Sequence, residues 1–156
     1  MSGASWMLLA LPACSYLAYV DSRQGVLPNG GVLAVAVLGV LLGPLGPMRA
    51  VGHALATTAL LFAAALAVEA LSRGRAWLGM GDVKLAGAAA AWLGVLGALV
   101  ALEAALCLVA LHRYGVAVAR RVLTGRWEPP PRHVPLGPAL CFAMHLVAIA
   151  GGGVLP

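Results

Sequence analysis

Long apolar stretches separated by short polar or turn-forming segments set the first reading of this chain. The spans predicted at bilayer length are 3–20, 30–47, 51–71, 83–97, 98–118 and 135–154. Pro28-Asn29-Gly30 precedes the second span, and Pro44 and Pro47 mark its far end. The third is predicted to end at Ser72-Arg73-Gly74-Arg75. The run from Val83 to Val118, with little polar interruption, would measure about 54 Å as one helix, against a hydrocarbon core of about 30 Å. Two short helices turning near Gly94-Val95-Leu96-Gly97 fit better. The small residues of Ala86-Gly87-Ala88-Ala89-Ala90-Ala91 favour close helix packing in lipid, so a compact all-α integral membrane bundle of about six helices is expected.

Charge changes the picture by giving the bundle an orientation. With six spans, Arg23, Arg73, Arg75, Lys84, Arg113, Arg120, Arg121, Arg126 and Arg132 share one side of the membrane. Arg49 alone falls on the other. The positive-inside rule makes the basic side cytoplasmic and puts both termini outside. A single helix over 83–118 would separate the later arginines from Arg73, Arg75 and Lys84, which the rule disfavours. Glu128-Pro129-Pro130-Pro131-Arg132 reads as a stiff cytoplasmic connector.

Composition agrees with this class. Of 156 residues, 62% are hydrophobic and 10% charged, against about 25% charged in soluble domains. A single domain over 1–156 is expected. The net charge of +5 reports topology rather than a nucleic-acid partner. Cys14, Cys107 and Cys141 lie far apart in apolar runs and read as buried structural thiols. No group of His, Cys and carboxylate residues has the spacing of a metal site, and no cofactor is expected. Leu11-Pro12-Ala13-Cys14 approaches a lipoprotein cleavage site, but Pro12 and the lack of a basic start favour a retained first helix.

The candidate chemistry lies in the five acidic residues Asp21, Glu69, Asp82, Glu103 and Glu128. Asp21 is expected to end the first helix and Asp82 to open the fourth, both at the cytoplasmic edge. The bland reading of Asp82 is an N-cap for a helix starting at Val83. Asp21 is harder to dismiss, because a carboxylate at a helix C-terminus faces the negative end of the dipole. Ionisable residues at membrane depth are usually functional. Two carboxylates sharing a proton supply what amide hydrolysis needs, an ionised group to activate water and a protonated group to assist the carbonyl and leaving nitrogen. Helix polarity predicts ionised Asp82 and protonated Asp21.

The motifs around the pair carry a resemblance. Asp21-Ser22-Arg23-Gln24-Gly25-Val26-Leu27-Pro28-Asn29 resembles the first aspartate motif of the type IV prepilin peptidase family. Gly79-Met80-Gly81-Asp82-Val83-Lys84-Leu85 matches that family's GxGD motif with its following lysine. Val134-Pro135-Leu136-Gly137-Pro138-Ala139 is similar to the short motif opening its last helix. The resemblance implies an aspartic protease of the bacterial cytoplasmic membrane with Asp21 and Asp82 as catalytic pair. It would remove the basic leader of prepilins or pseudopilins at the cytoplasmic face. The CxxC-bearing methyltransferase region of larger members has no counterpart here. The short form resembles enzymes of tight-adherence (Flp) pilus systems, and archaeal preflagellin peptidases are also similar.

Supporting roles divide along physical lines. Gly79 and Gly81 would let the backbone approach Asp82 or the substrate. Pro28 and Asn29 would fix the turn after Asp21, with Asn29 as a cap for the second helix. Arg23 and Lys84 either tune the pair or simply orient the chain. Glu69 would pair with Arg73 one turn on or, being near the cytoplasmic end, support the aspartates from behind. Glu103 and His145 lie within spans, while His53, His112 and His133 are expected at interfaces. Trp77 and Trp127 suit an interfacial belt. Arg120, Arg121 and the later arginines read by default as a solvated positive-inside loop, with anionic lipid or a partner such as pilus-assembly machinery as the alternative contact. Two rival functions stay open: a small proton- or cation-coupled transporter subunit using the aspartates as ion sites, and a noncatalytic pilus-assembly protein tolerant of their loss.

Overall fold

The protein was analysed as a computed structural model, in which residues 3–71, 79–125 and 135–150 are described. All regular structure among them is helical: α1 Gly3–Gln24, α2 Asn29–Leu42, α3 Pro47–Leu71, α4 Met80–Thr124 and α5 Leu136–Ala150. The expected end of the third span at 72–75, Trp77, and the connector 128–132 with Arg126, Trp127 and His133 fall outside the described residues, as does Arg73, the partner expected for Glu69.

α3 and α4 are long and apolar enough to cross a membrane, while α2 and α5 are apolar but shorter. The 25 residues of α3 rise about 38 Å, which exceeds the hydrocarbon thickness. Pro47 opens α3 rather than closing α2 as expected. At a first helical position its missing N–H costs nothing, because that group would have no partner within the helix.

α4 runs as 45 residues interrupted at Gly94, where φ is 74° and ψ is 174°. That backbone region is open essentially to glycine alone. The interruption falls on the first residue of the turn expected at 94–97, and two helical pieces meet there. The second piece continues to Thr124 and ends on Gly125 in the left-handed conformation. Arg120 and Arg121 are therefore helical, beyond the span expected to stop at residue 118, and Arg113 lies within the same helix.

α4 is the centre of the molecule, packed against α2, α3 and α5, while α1 packs on α2 and α5. The first piece of α4 is almost wholly buried from Leu85 to Trp92. Its alanines let neighbours come close, and α2 answers with Gly39, where a methyl would stand 2.9 Å from the Ala91 Cβ. Trp92 Nε1 donates to the Val35 carbonyl at 2.9 Å, which satisfies its buried indole. Lys84 Nζ donates to Asn29 Oδ1 at 3.1 Å, near the starts of α4 and α2. The start of α2 thus meets the start of α4, and its later residues Val35 and Gly39 meet Ala91 and Trp92, so α2 and the first piece of α4 are parallel.

Cys14 and Cys141 are buried and hydrogen-bond to each other across α1 and α5. Cys107 is exposed on the protein surface, because its position on α4 faces away from the packed helices. It is therefore not the buried thiol expected.

Candidate active site

α1 continues through Asp21 to Gln24, so this aspartate sits in the last turn of the helix rather than at its end. Gly25 adopts φ 64° and returns its N–H to the Asp21 carbonyl at 2.8 Å. This left-handed residue stops α1. Leu27 precedes Pro28 and is thereby held to extended backbone. Pro28, at φ −67° and ψ 129°, caps α2, and its carbonyl accepts from Gly31 and Val32 at 3.0 and 3.2 Å. Asn29 is the first helical residue and not the expected cap, since the cap position belongs to Pro28. Its side chain instead receives Lys84.

α4 begins at Met80 with Gly79 as its N-cap, which corrects the reading of Asp82 as a cap for Val83. Asp82 lies in the third helical position and its carboxylate accepts the Gly79 backbone N–H. This is the returning half of a capping box. A side chain at Gly79 would meet the Asp82 Oδ2 at 2.9 Å, so the glycine leaves room for this close return.

Asp21 is one of the two buried polar residues among those described, at 6% exposure. Its Oδ2 accepts the Gly137 backbone N–H at 2.9 Å, a bond between residues 116 apart in sequence. Gly137 is the second residue of α5, whose first amides have no partner within the helix. A methyl there would stand 2.6 Å from Asp21 Oδ2 and 3.1 Å from Leu27 Cδ2. Glycine is thus what allows α5 to present its N-terminus to Asp21.

Both carboxylates consequently meet backbone amides at helix N-termini, Asp82 on α4 and Asp21 on α5. Helix polarity does not separate them as expected, because the field of α5 offsets that of the end of α1 at Asp21. Both aspartates lie beyond the apolar spans 3–20 and 83–97. Burial raises Asp21 above the ordinary carboxylate value, with the Gly137 amide opposing. Asp82 is pushed up to about 6, first by burial and then by the charge of Asp21, with the Gly79 amide opposing. The two groups therefore sense each other electrostatically although they lie on different helices, α1 and α4, 61 residues apart in the chain.

The other candidate residues are placed as follows. Gly81 packs under Leu27, where a methyl would meet the Leu27 Cβ at 3.1 Å. Lys84 is exposed and bonded to Asn29. Arg23 is exposed and lies over the Tyr19 ring at 5.7 Å from its centroid, a cation–π contact within α1. Glu69 and Glu103 are exposed. His145 is half-buried and its Nδ1 lies 2.7 Å from the Cys141 carbonyl in its own helix. Two residues absent from the expected site stand inside it, Gly137 and Leu27. Both occur within the quoted motifs. The Pro138 beside Gly137, which marks the opening of a helix, was the one local sign that free amides would be on offer there.

Comparison with curated proteins and with solved structures gave no match. A family model described as "Type IV leader peptidase family" matches residues 8–113, more than half of the chain. The match contains both aspartates and the Gly79–Leu85 motif, and it stops before α5. With α3 and α4 of membrane-crossing length, this family makes the protein a membrane peptidase acting on prepilin leaders. The chain belongs to the type IV leader peptidase family.

Proposed function

We propose that the protein is an aspartic endopeptidase that removes the basic leader of Flp-type prepilins at the cytoplasmic face of the bacterial inner membrane. The observation that carries this reading is the convergence of Asp21 and Asp82 on the starts of α5 and α4, with Gly137 donating to Asp21 and Leu27 touching both helix starts. With Asp21 ionised, Asp82 keeps its proton up to about pH 6. Such a singly protonated pair supplies a base and an acid together.

In the proposed reaction, ionised Asp21 takes a proton from water as the water oxygen bonds to the scissile carbonyl carbon. Asp82 gives its proton to the carbonyl oxygen, and a tetrahedral diol forms. The carbon–nitrogen bond then breaks as Asp21 passes its proton to the leaving nitrogen and Asp82 takes back a proton from a diol hydroxyl, which becomes the carbonyl of the new carboxyl group. The products are a new carboxyl end on the leader and a new amine on the mature pilin. Neither step consumes the aspartates, which exchange roles as the proton moves between them.

The cytoplasmic orientation rests on the basic residues that flank the two aspartates in sequence. Leader removal on that side matches the location of a basic substrate segment that has not crossed the membrane. Co-expression with a candidate prepilin, followed by a gel-mobility assay of leader removal, tests the proposal. Asp21→Asn and Asp82→Asn are each expected to abolish processing while the protein still inserts. A transporter or a noncatalytic assembly protein would leave the prepilin unprocessed with the native chain as well.

A further inference from the structure

Leu27 occupies a position that no catalytic role requires. It belongs to the loop between α1 and α2, yet its side chain is buried at 9% exposure. It lies between two helix starts. On the α4 side, a methyl at Gly81 would stand 3.1 Å from Leu27 Cβ and 3.3 Å from its Cδ1. On the α5 side, a methyl at Gly137 would stand 3.1 Å from Leu27 Cδ2. These are the two helix ends that hold the carboxylates: Gly81 adjoins Asp82, and Gly137 donates to Asp21. The loop has little freedom to move the wedge. Gly25 closes α1, Pro28 fixes the entry to α2, and Asn29 is tied to Lys84 on α4.

We propose that Leu27 is the positioning residue of the dyad, a spacer whose width sets how far the N-terminus of α4 stands from that of α5 and so the separation of Asp82 from Asp21. The inference rests on the peptidase reading of the same site. Its physical content is simple. Each glycine brings its helix backbone into contact with one side of a single side chain, so the thickness of that side chain is transmitted to both helix ends. A thinner residue lets the ends approach and strengthens the repulsion between the two carboxylates. A thicker one drives them apart and weakens their ability to share a water. Ionisable groups on the helix ends around Leu27 are Asp21 and Arg23 on α1 and Asp82 and Lys84 on α4, with Cys141 one turn beyond Gly137 on α5 and sensing the charge of Asp21. Arg23 and Lys84 already have other partners in Tyr19 and Asn29.

The test is a size series at this position in the full-length protein, reconstituted in bilayer vesicles with a purified prepilin. Leu27→Ala, Leu27→Val, Leu27→Met and Leu27→Phe would be compared for kcat, KM and the pH at which kcat/KM falls on the alkaline side. Asp21→Asn and Asp82→Asn would run alongside. Leu27→Met, of similar volume, is expected to stay within about threefold of the parent. Leu27→Ala and Leu27→Phe are each expected to lose at least about tenfold in kcat with KM little changed. The alkaline limb is expected to move up for Leu27→Ala and down for Leu27→Phe. Leu27→Val gives the same comparison, in the same direction, if Leu27→Ala does not fold. An alkaline limb that stays fixed across the series overturns the spacer, even where kcat falls with the amount of folded enzyme. Normal cleavage by either Asp→Asn variant overturns the peptidase reading itself, whatever the Leu27 series shows.

Discussion

At the residue scale, the two aspartates differ less in their local fields than in their burial and mutual charge. Asp82 is raised from 3.8 to about 6 in the folded protein. The folded state therefore binds this proton more tightly than the unfolded chain does. Stability contributed by the neutral group falls as pH rises from about 4 to about 6 and stays low above that. Asp82→Asn removes the charge while keeping an oxygen for the Gly79 amide. In thermal melts in one detergent, the variant is expected to exceed the parent by a few degrees at pH 7.5, with the gain gone by pH 4. Equal melting temperatures at pH 7.5 would contradict a folded state that holds the Asp82 proton more tightly than the unfolded chain.

Gly137 offers a second test at this scale, because its added methyl would meet Asp21 itself. Gly137→Ala places a carbon 2.6 Å from Asp21 Oδ2, too close for either group to stay where it is. Overpacking of this kind costs about 1–3 kcal/mol. The larger effect is expected on catalysis, since the displaced carboxylate loses its amide partner. Cleavage is expected to fall at least about a hundredfold, measured on inserted protein of matched amount. Retention of most of the activity would mean that the Gly137 bond does not position Asp21.

At the element scale, α4 carries the features that matter most. Its start holds Asp82, its alanine-rich first piece forms the centre of the bundle, and its break at Gly94 ends that piece. The break has a definite backbone cause, a conformation at φ 74° and ψ 174° that a side chain strains. Gly94→Ala is expected to cost about 1–3 kcal/mol for this reason, although a Cβ there would meet no other atom within 4 Å. The loss should appear as a lower melting temperature. An unchanged melting temperature would show that the break tolerates a side chain.

α4 also shows how far the sequence alone could be read. The length of the 83–118 run demanded an interruption, and the glycines at 94 and 97 marked where one would cost least. The helix start was misread by three residues, because Asp82 looks like a cap from its own neighbourhood. Gly79 takes that position only because the aspartate side chain can fold back to it. The continuation of α4 to Thr124 was equally hidden, since arginines mark where a span leaves the membrane and not where a helix ends. The Asp21 and Asp82 motifs were visible because the proposed chemistry requires those residue types. The partners Gly137 and Leu27 were not, because their role depends on where α5 and the α1–α2 loop pack, and Gly137 lies 116 residues from Asp21.

At the scale of the whole molecule, one arrangement accounts for both the packing and the proposed chemistry. Helix starts at α4 and α5 converge on the end of α1, bringing backbone amides to two carboxylates at the edge of an apolar bundle. The small residues of the bundle allow that convergence by letting the helices approach closely. If the pair acts as one catalytic unit, its members cannot contribute independently. The most direct test is a double-mutant cycle on Asp21→Asn and Asp82→Asn, measuring single-turnover prepilin cleavage in reconstituted vesicles. Each single variant is expected to lose at least about ten-thousandfold, with the double variant no worse than either. A single variant that retains substantial cleavage, or losses that multiply in the double variant, would contradict the account.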